Sequence, residues 1–352
     1  MNVVINLLLF ILILGAVVLV HEFGHFIFSK IFGVKVFEFS IGMGPKALQR
    51  TAKDGTKYSI RWIPIGGYVS LAGEDTEQDE SLGVKKGESL NDKPAWQRCI
   101  IMIMGVVNNF LFAFIILFIS ALIYGAADTT PVIKGVTENS PASIAGLESG
   151  DKILKINNRK VTYTDDISLY FVVEDLDKEL SIEVEKKNST VETYTLIANK
   201  KVDEENKATY TIGIELNTEK EYGLLPSIEF AFKKSGAIFK QMFTVLGSLF
   251  TGQVSVKELS GPVGIYSVVG EARSYGINSL LYLVALLCIN VGVINILPFP
   301  AFDGGRVFLL IIEKIIRRPI SPKVENAINS VGFILLMILM IYVTFNDILR
   351  LF

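Results

Sequence analysis

Histidine and cysteine are each present only twice in this chain, and four long stretches carry no charged residue at all. Two cysteines, Cys99 and Cys288, are too few for a disulfide framework, and both stand in apolar surroundings, so they read as packing residues. The scarcity of histidine confines any imidazole chemistry to His21 and His25. A basic surplus is also missing: 34 Lys and Arg stand against 36 Asp and Glu, so no nucleic-acid partner is expected.

The charge-free stretches decide the class. Val3–Val20, Cys99–Ala127 and Leu280–Leu297 are interrupted chiefly by asparagine, and the apolar run Ile328–Phe345 equals the first and third in length. A bilayer core about 30 Å thick needs roughly 20 such residues per helix. The fold class expected is therefore a multi-pass α-helical membrane protein with four transmembrane helices. The first run could instead be a cleaved signal peptide, but no basic segment precedes it and no small-residue cleavage site follows. Lys and Arg beside membrane spans are retained on the cytoplasmic side. Lys30, Lys35, Lys46, Arg50, Lys53 and Lys57 therefore place the first connection there. Arg306, Lys314, Arg317, Arg318 and Lys323 do the same for the last, and the polar insert after the second span faces outward.

Between the first two spans, Val34–Phe39 and Lys57–Ile63 alternate apolar with polar residues, the period of strands. Lys53-Asp54-Gly55-Thr56 joins them, and Gly42-Met43-Gly44-Pro45 and Gly66-Gly67 bracket them. The acidic stretch from Glu74 to Asp92 has little to bury and reads as a mobile loop. In the outward insert, Ser140-Pro141-Ala142 predicts an N-capped helix that Gly146 ends. With Gly150-Asp151 and the strand-like Ile153–Ile156, this string resembles a PDZ domain. Pro226–Phe250 intersperses Lys233, Lys234 and Lys240 among apolar residues, which predicts an amphipathic helix on the membrane or against the spans.

The organisation expected is a first transmembrane helix over 1–32, a membrane-associated β-strand loop over 33–73 and an acidic flexible cytoplasmic loop over 74–95. A second transmembrane helix over 96–127 leads to a PDZ domain over 128–216, then an amphipathic helix and linker over 225–270. The third transmembrane segment covers 277–305, a cytoplasmic connection 306–326 and the fourth transmembrane helix 327–350.

His21-Glu22-Phe23-Gly24-His25 puts two imidazoles four residues apart, on one face of a helix, where they can share a zinc ion. Glu22 can reach a water held by that metal. A catalytic zinc wants three protein ligands and an open fourth position. With no third histidine, the candidates are carboxylates or cysteines near membrane depth. Asp128 and Asp347 lie at span ends, and Cys288 sits in an uninterrupted helix. Asp303 stands apart in Asn295–Gly305, whose prolines and glycines break the helix, as is tolerated at this depth only where backbone is buried or lines a wet cavity. Asp303 either completes the ligand set or caps the helix that follows it.

The whole series resembles the bacterial site-two proteases, in the branch typified by the regulator of sigma-E protease. His21–His25, Gly42-Met43-Gly44-Pro45, Asn108-Asn109-Phe110, the PDZ-like unit, Ser260–Ile265 and Asn295–Gly305 carry the likeness. The family's leucine before the aspartate is Phe302 here, and one PDZ unit stands where the best-known relatives have two. The resemblance implies an intramembrane zinc metalloprotease with one Zn2+ per chain, held by His21, His25 and Asp303, and Glu22 as the catalytic base. It also implies that Asn295 helps hold substrate or oxyanion, and that Pro298, Pro300, Gly42 and Gly44 belong to the same substrate-binding group. The implied substrates are single-pass membrane proteins already shortened by another protease, such as anti-sigma factors, and remnant signal peptides. The implied setting is the bacterial inner membrane in contact with lipid, with the active site toward the cytoplasm and the PDZ domain outside. Two other classes remain: a metal transporter, which would normally show repeated polar spans, and a non-catalytic PDZ scaffold with structural zinc, for which Glu22 has no use.

Overall fold

A computed structural model describes residues 2–74, 83–202, 208–318 and 320–350. The chain divides into two compact units, one formed by Met1–Ile116 with Lys257–Phe352 and the other by Leu117–Val256.

Helix α1 runs from Asn2 to Ile31 without a break. It is apolar nearly all round, the composition of a helix surrounded by lipid or protein. It continues through His21 and His25, so the histidines sit in helical register. Strands β1 (Val36–Thr51) and β2 (Lys57–Leu71) follow, then helix α2 (Ala95–Tyr124). The strands are longer than the alternation predicts. Gly42, Gly44 and Gly66, expected as brackets, lie inside them at φ of 82°, 82° and 74°. A left-handed glycine within a strand bends it, and here the bends curl the pair on itself. Residues Phe39 to Ile41 are consequently flanked by Gly67 to Val69 on one side and Tyr58 to Ile60 on the other. The turn between the strands is the expected one: Gly55 has φ of 83°, and the Thr56 amide donates to Asp54 Oδ1 at 3.0 Å. Of the acidic stretch, residues 75–82 lie outside the described residues. Beyond them, Leu90–Asp92 forms a short turn whose Ser89 side chain accepts from the Asn91 amide.

The second unit contains β3 (Ile133–Val136), α3 (Pro141–Ala145), β4 (Lys152–Ile156), β5 (Arg159–Lys160) and α4 (Thr164–Val173). Strands β6 (Leu180–Glu185) and β7 (Val191–Leu196) complete a four-stranded sheet in the order β5-β4-β6-β7. Ile133, Ile153, Ile156, Leu180 and Ile182 form its buried core. Ser140 caps α3 by accepting from the Ser143 amide, and Gly146 ends it in the left-handed region. Helix α5 (Leu224–Phe250) is tied to the first turn of α4: Lys234 meets Asp165 at 2.6 Å and Lys240 meets Asp166 at 2.7 Å. All three lysines that interrupt its apolar sequence are thus ion-paired within the unit, Lys233 with Glu229 of the same helix at 2.6 Å.

Helices α6 (Pro262–Ser274), α7 (Ile277–Ile296), α8 (Asp303–Ile316) and α9 (Pro322–Leu349) return to the first unit. Part of the stretch expected as a linker up to residue 270 is therefore helical. The Gly264 amide, in the first turn of α6, donates to Asp347 of α9 at 2.8 Å, a carboxylate where a helix N-terminus favours one. Among the described residues four helices, within Val3–Ile31, Ala95–Tyr124, Ile277–Ile296 and Val324–Leu349, are long and apolar enough to cross a membrane. They fit a multi-pass membrane protein.

Candidate metal centre

Four residues are slightly more than one turn of α1, so the His21 and His25 rings emerge on one face. Both residues are buried. The His25 Nδ1 lies 2.8 Å from the Ile101 carbonyl of α2, which makes it the protonated nitrogen and leaves Nε2 with its lone pair. The two Nε2 atoms stand 3.1 Å apart, and Asp303 Oδ2 is 3.0 Å from the first and 3.2 Å from the second. Ligand atoms about 2.0 Å from a tetrahedral zinc lie roughly 3.3 Å from one another, close to this triangle. Asp303 Oδ2 is buried, and among the described residues it meets no hydrogen-bond donor. Two nitrogen lone pairs and an unsatisfied carboxylate oxygen turned on one point are what a divalent cation would relieve, and the donor set is of the kind zinc takes.

Asp303 is delivered by the break between α7 and α8. Ala301 takes φ of 75°, and Phe302 occupies the N-cap position, so Asp303 is the first residue of α8 rather than its cap. The two glycines after it are required by space. A Cβ on Gly304 would lie 2.2 Å from the Ile296 carbonyl oxygen, and one on Gly305 equally close to that of Phe299. The helix start is pressed against the loop that precedes it, which fixes where the carboxylate points.

Three further residues shape the site: Gly24 and Asn109 stand in the quoted motifs without an assigned role, and Gly105 lies outside them. Gly24 of α1 lets α2 approach until an added Cβ would be 2.2 Å from the Met104 carbonyl oxygen, and Gly105 of α2 faces both imidazoles. Glycine inside a span is itself a sign of close helix approach, and that signal was present in the sequence. Asn109, one turn further along α2, is fully buried, with Nδ2 3.4 Å from His21 Nδ1 and its Oδ1 unpartnered. A half-turn of the amide lets Oδ1 accept from Nδ1–H. That satisfies the oxygen and keeps the His21 Nε2 lone pair free. Its neighbour Asn108 donates to the Val20 carbonyl.

Glu22 Oε2 accepts the Val69 amide of β2 at 3.0 Å. A cavity of about 320 Å³ is lined by His21, Glu22, Val69, Asn295, Asp303 and Arg306, among others. Pro298 lines an adjoining, largely apolar pocket of about 290 Å³ that Asn295 and Asp303 also reach. Pro300 instead lies against Gly332 of α9, where a Cβ would come within 2.4 Å of it. Gly42 and Gly44 stand in the bend of β1, and neither they nor Pro300 are among the residues lining the two cavities.

The model of Peptidase family M50 matches residues 9–339. The chain belongs to that family. Among M50 relatives, a Clostridium perfringens protein carrying a provisional zinc metalloprotease name is 38% identical over 339 residues, covering 95% of this chain and 96% of the relative. Zinc metalloprotease RasP of Shouchella clausii is 34% identical over 426 residues, covering 99% of each chain. Regulator of sigma-W protease RasP of Bacillus subtilis is 32% identical over 420 residues, covering 97% of this chain and 98% of its own. Membership of M50 supports a membrane zinc metalloprotease of the site-two type, and His21, His25 and Asp303 offer a donor set suited to the metal those relatives are named for.

Proposed function

We propose that this M50 protein is an intramembrane endopeptidase whose single zinc is held by His21, His25 and Asp303, with Glu22 as general base. The convergence of two imidazole nitrogens and one carboxylate oxygen within 3.2 Å, beside a second carboxyl-bearing residue, Glu22, and a cavity, carries this reading. When bound there, zinc supplies a Lewis acid that makes water nucleophilic near neutral pH. Glu22 takes the proton of the attacking water and returns it to the leaving amine. Asn295, on the cavity wall, donates to the developing oxyanion or holds the substrate backbone.

A peptide bond inside a helix is hidden by its own hydrogen bonds, so the substrate must unwind locally. Edge pairing with the curled strands stabilises the unwound segment. The stretch of β2 that lines the cavity, Tyr68–Leu71, pairs with β1 on one side only and is the edge we assign to this role. At the far end of the curl, Leu48, Ile60, Trp62 and Ile63 are exposed, which suits a β-strand loop resting in lipid. The expected substrates are single-pass membrane proteins shortened by an earlier protease. The outward unit, read as a PDZ domain over 128–216, excludes bulky ectodomains, and the site faces the cytoplasmic side.

Glu22→Gln tests the assignment. The purified variant should keep its zinc and lose roughly a hundredfold or more in the rate of cutting a tagged single-pass protein. Near-wild-type turnover with full zinc would remove Glu22 from the mechanism.

A further inference from the structure

The last stretch of β2 is paired on one side only. Val36, Phe39 and Ile41 stand opposite Leu71, Val69 and Gly67, and the Ala72 amide turns toward that side to reach the Lys35 carbonyl at 2.9 Å. Amides alternate along a strand, so those of Val69 and Leu71 point the other way, into the cavity that holds His21, His25 and Asp303. These are the two donors an incoming extended peptide would use. Neither is vacant: the Val69 amide goes to Glu22, and the Leu71 amide donates to Glu74 Oε2 at 3.2 Å.

Glu74 is held at this post from a second direction. Its Oε1 lies 2.7 Å from Nη1 of Arg306, which is one turn beyond Asp303 on α8. Glu74 also closes a tight turn, with its own amide 3.4 Å from the Leu71 carbonyl. A turn alone needs no arginine from α8 and no acceptor in the reaction cavity. Glu74 and Arg306 both line that cavity.

We propose that Glu74, clamped by Arg306, is a built-in competitor for the backbone donor at Leu71, so that an extended peptide must displace its carboxylate before it can lie beside the metal centre. The inference rests on the protease reading above and adds its regulation. The ligand class is an unwound apolar peptide presenting backbone carbonyls. A segment that stays helical offers no free carbonyl to exchange for the carboxylate, so the cap discriminates against intact helices and admits those that open. The displaced Glu74 keeps its charge beside Arg306, which makes the exchange reversible.

The test uses the full, zinc-loaded chain in detergent with fluorescent β-casein, an unstructured protein, as the probe. Glu74→Ala should lower KM by roughly three- to tenfold, the worth of one hydrogen bond to a partly exposed charged group, with kcat and zinc content unchanged. Glu74→Gln keeps an acceptor oxygen and should fall between the two. In the substrate-free protein, hydrogen exchange in the peptide containing Leu71 should speed up in Glu74→Ala. A merely structural turn predicts the reverse in kinetics: a raised KM or a lowered kcat. An unchanged or raised KM, or unchanged exchange at Leu71, would overturn the proposal. The exchange measurement needs no catalysis, so it decides the cap even where wild type and variant both leave β-casein intact. That last result would count against the protease reading alone. Should Glu74→Ala fail to fold, the Glu74→Gln comparison carries the same two readouts.

Discussion

Gly105 lies so close beneath His25 that a single added carbon on it would come within 2.4 Å of the ring Nε2, and within 2.9 Å of His21 Cε1. The metal centre is therefore shaped by a missing side chain on the neighbouring helix as much as by its donors. Gly105→Ala should push the rings apart and weaken zinc binding by at least about tenfold, while Gly247→Ala, where nothing lies within 4 Å, should leave zinc untouched. Gly247 lies in the last turn of α5, so the latter change should add at most about 0.5 kcal/mol of stability. Zinc analysis after dialysis against a chelator separates the two, and full retention in Gly105→Ala would show that the rings have room to move.

Asn109 should matter through His21. Asn109→Leu removes the acceptor for Nδ1–H at nearly constant volume and should cost roughly ten- to a hundredfold in zinc affinity. Asn109→Asp, a stronger acceptor, should bind zinc at least as tightly as wild type. Competition with a coloured chelator measures both. Wild-type affinity in Asn109→Leu would mean the ring is oriented by packing alone.

Acid should strip the site. Each imidazole must be neutral to offer its lone pair, so protons compete with the metal, and affinity is present at high pH and lost as pH falls. With two imidazoles among the ligands, zinc affinity should fall with pH by up to about a hundredfold per unit once both rings are protonated in the metal-free protein, and flatten where both are neutral. Equilibrium dialysis over a series of pH values checks the slope. A slope near one would leave only one histidine among the ligands.

Lys240 guards a different weakness. Its partner Asp166 is fully buried, accepts the amides of Thr162 and Tyr163 at 2.7 and 3.0 Å, and still has one oxygen without a partner. Lys240→Met should leave that carboxylate uncompensated and destabilise the α4 and α5 pairing by about 2 kcal/mol, discounted from a fully buried pair because the lysine is one-third exposed. Adding Asp166→Asn should recover part of the loss. Faster hydrogen exchange confined to Thr164–Val173 and Leu224–Phe250 would register the effect, and unchanged exchange would show the pair to be idle.

Much of this was legible in the sequence, for physical reasons that differ by residue. Charge-free runs near 20 residues have few alternatives to a membrane helix, and all four are helical. His21 and His25 were legible because helical spacing converts sequence distance into direction, and Asp303 because helix-breaking residues stand out in an apolar context. The contribution of Gly105 and Asn109 was not, since it depends on which face of α2 meets α1, and no periodicity fixes that when the helix is apolar all round. Gly42, Gly44 and Gly66 were visible but ambiguous. A glycine can end a strand or bend it, and only the pairing of Phe39 with both Val69 and Tyr58 distinguishes the two.

The three proposed ligands come from opposite ends of the chain, two from the first helix and one from α8, about 280 residues later. At ribosomal speeds of about 5 to 20 residues per second, His21 and His25 wait roughly a quarter of a minute to a minute in the growing chain before Asp303 exists. During that interval Glu22 and the two imidazoles are already within one helix, yet the proposed ligand set is incomplete. A prematurely ended chain stays in the same condition for good. Under the proposed ligand set every unfinished copy lacks one donor for the metal, and competence would arrive only when translation has passed residue 303.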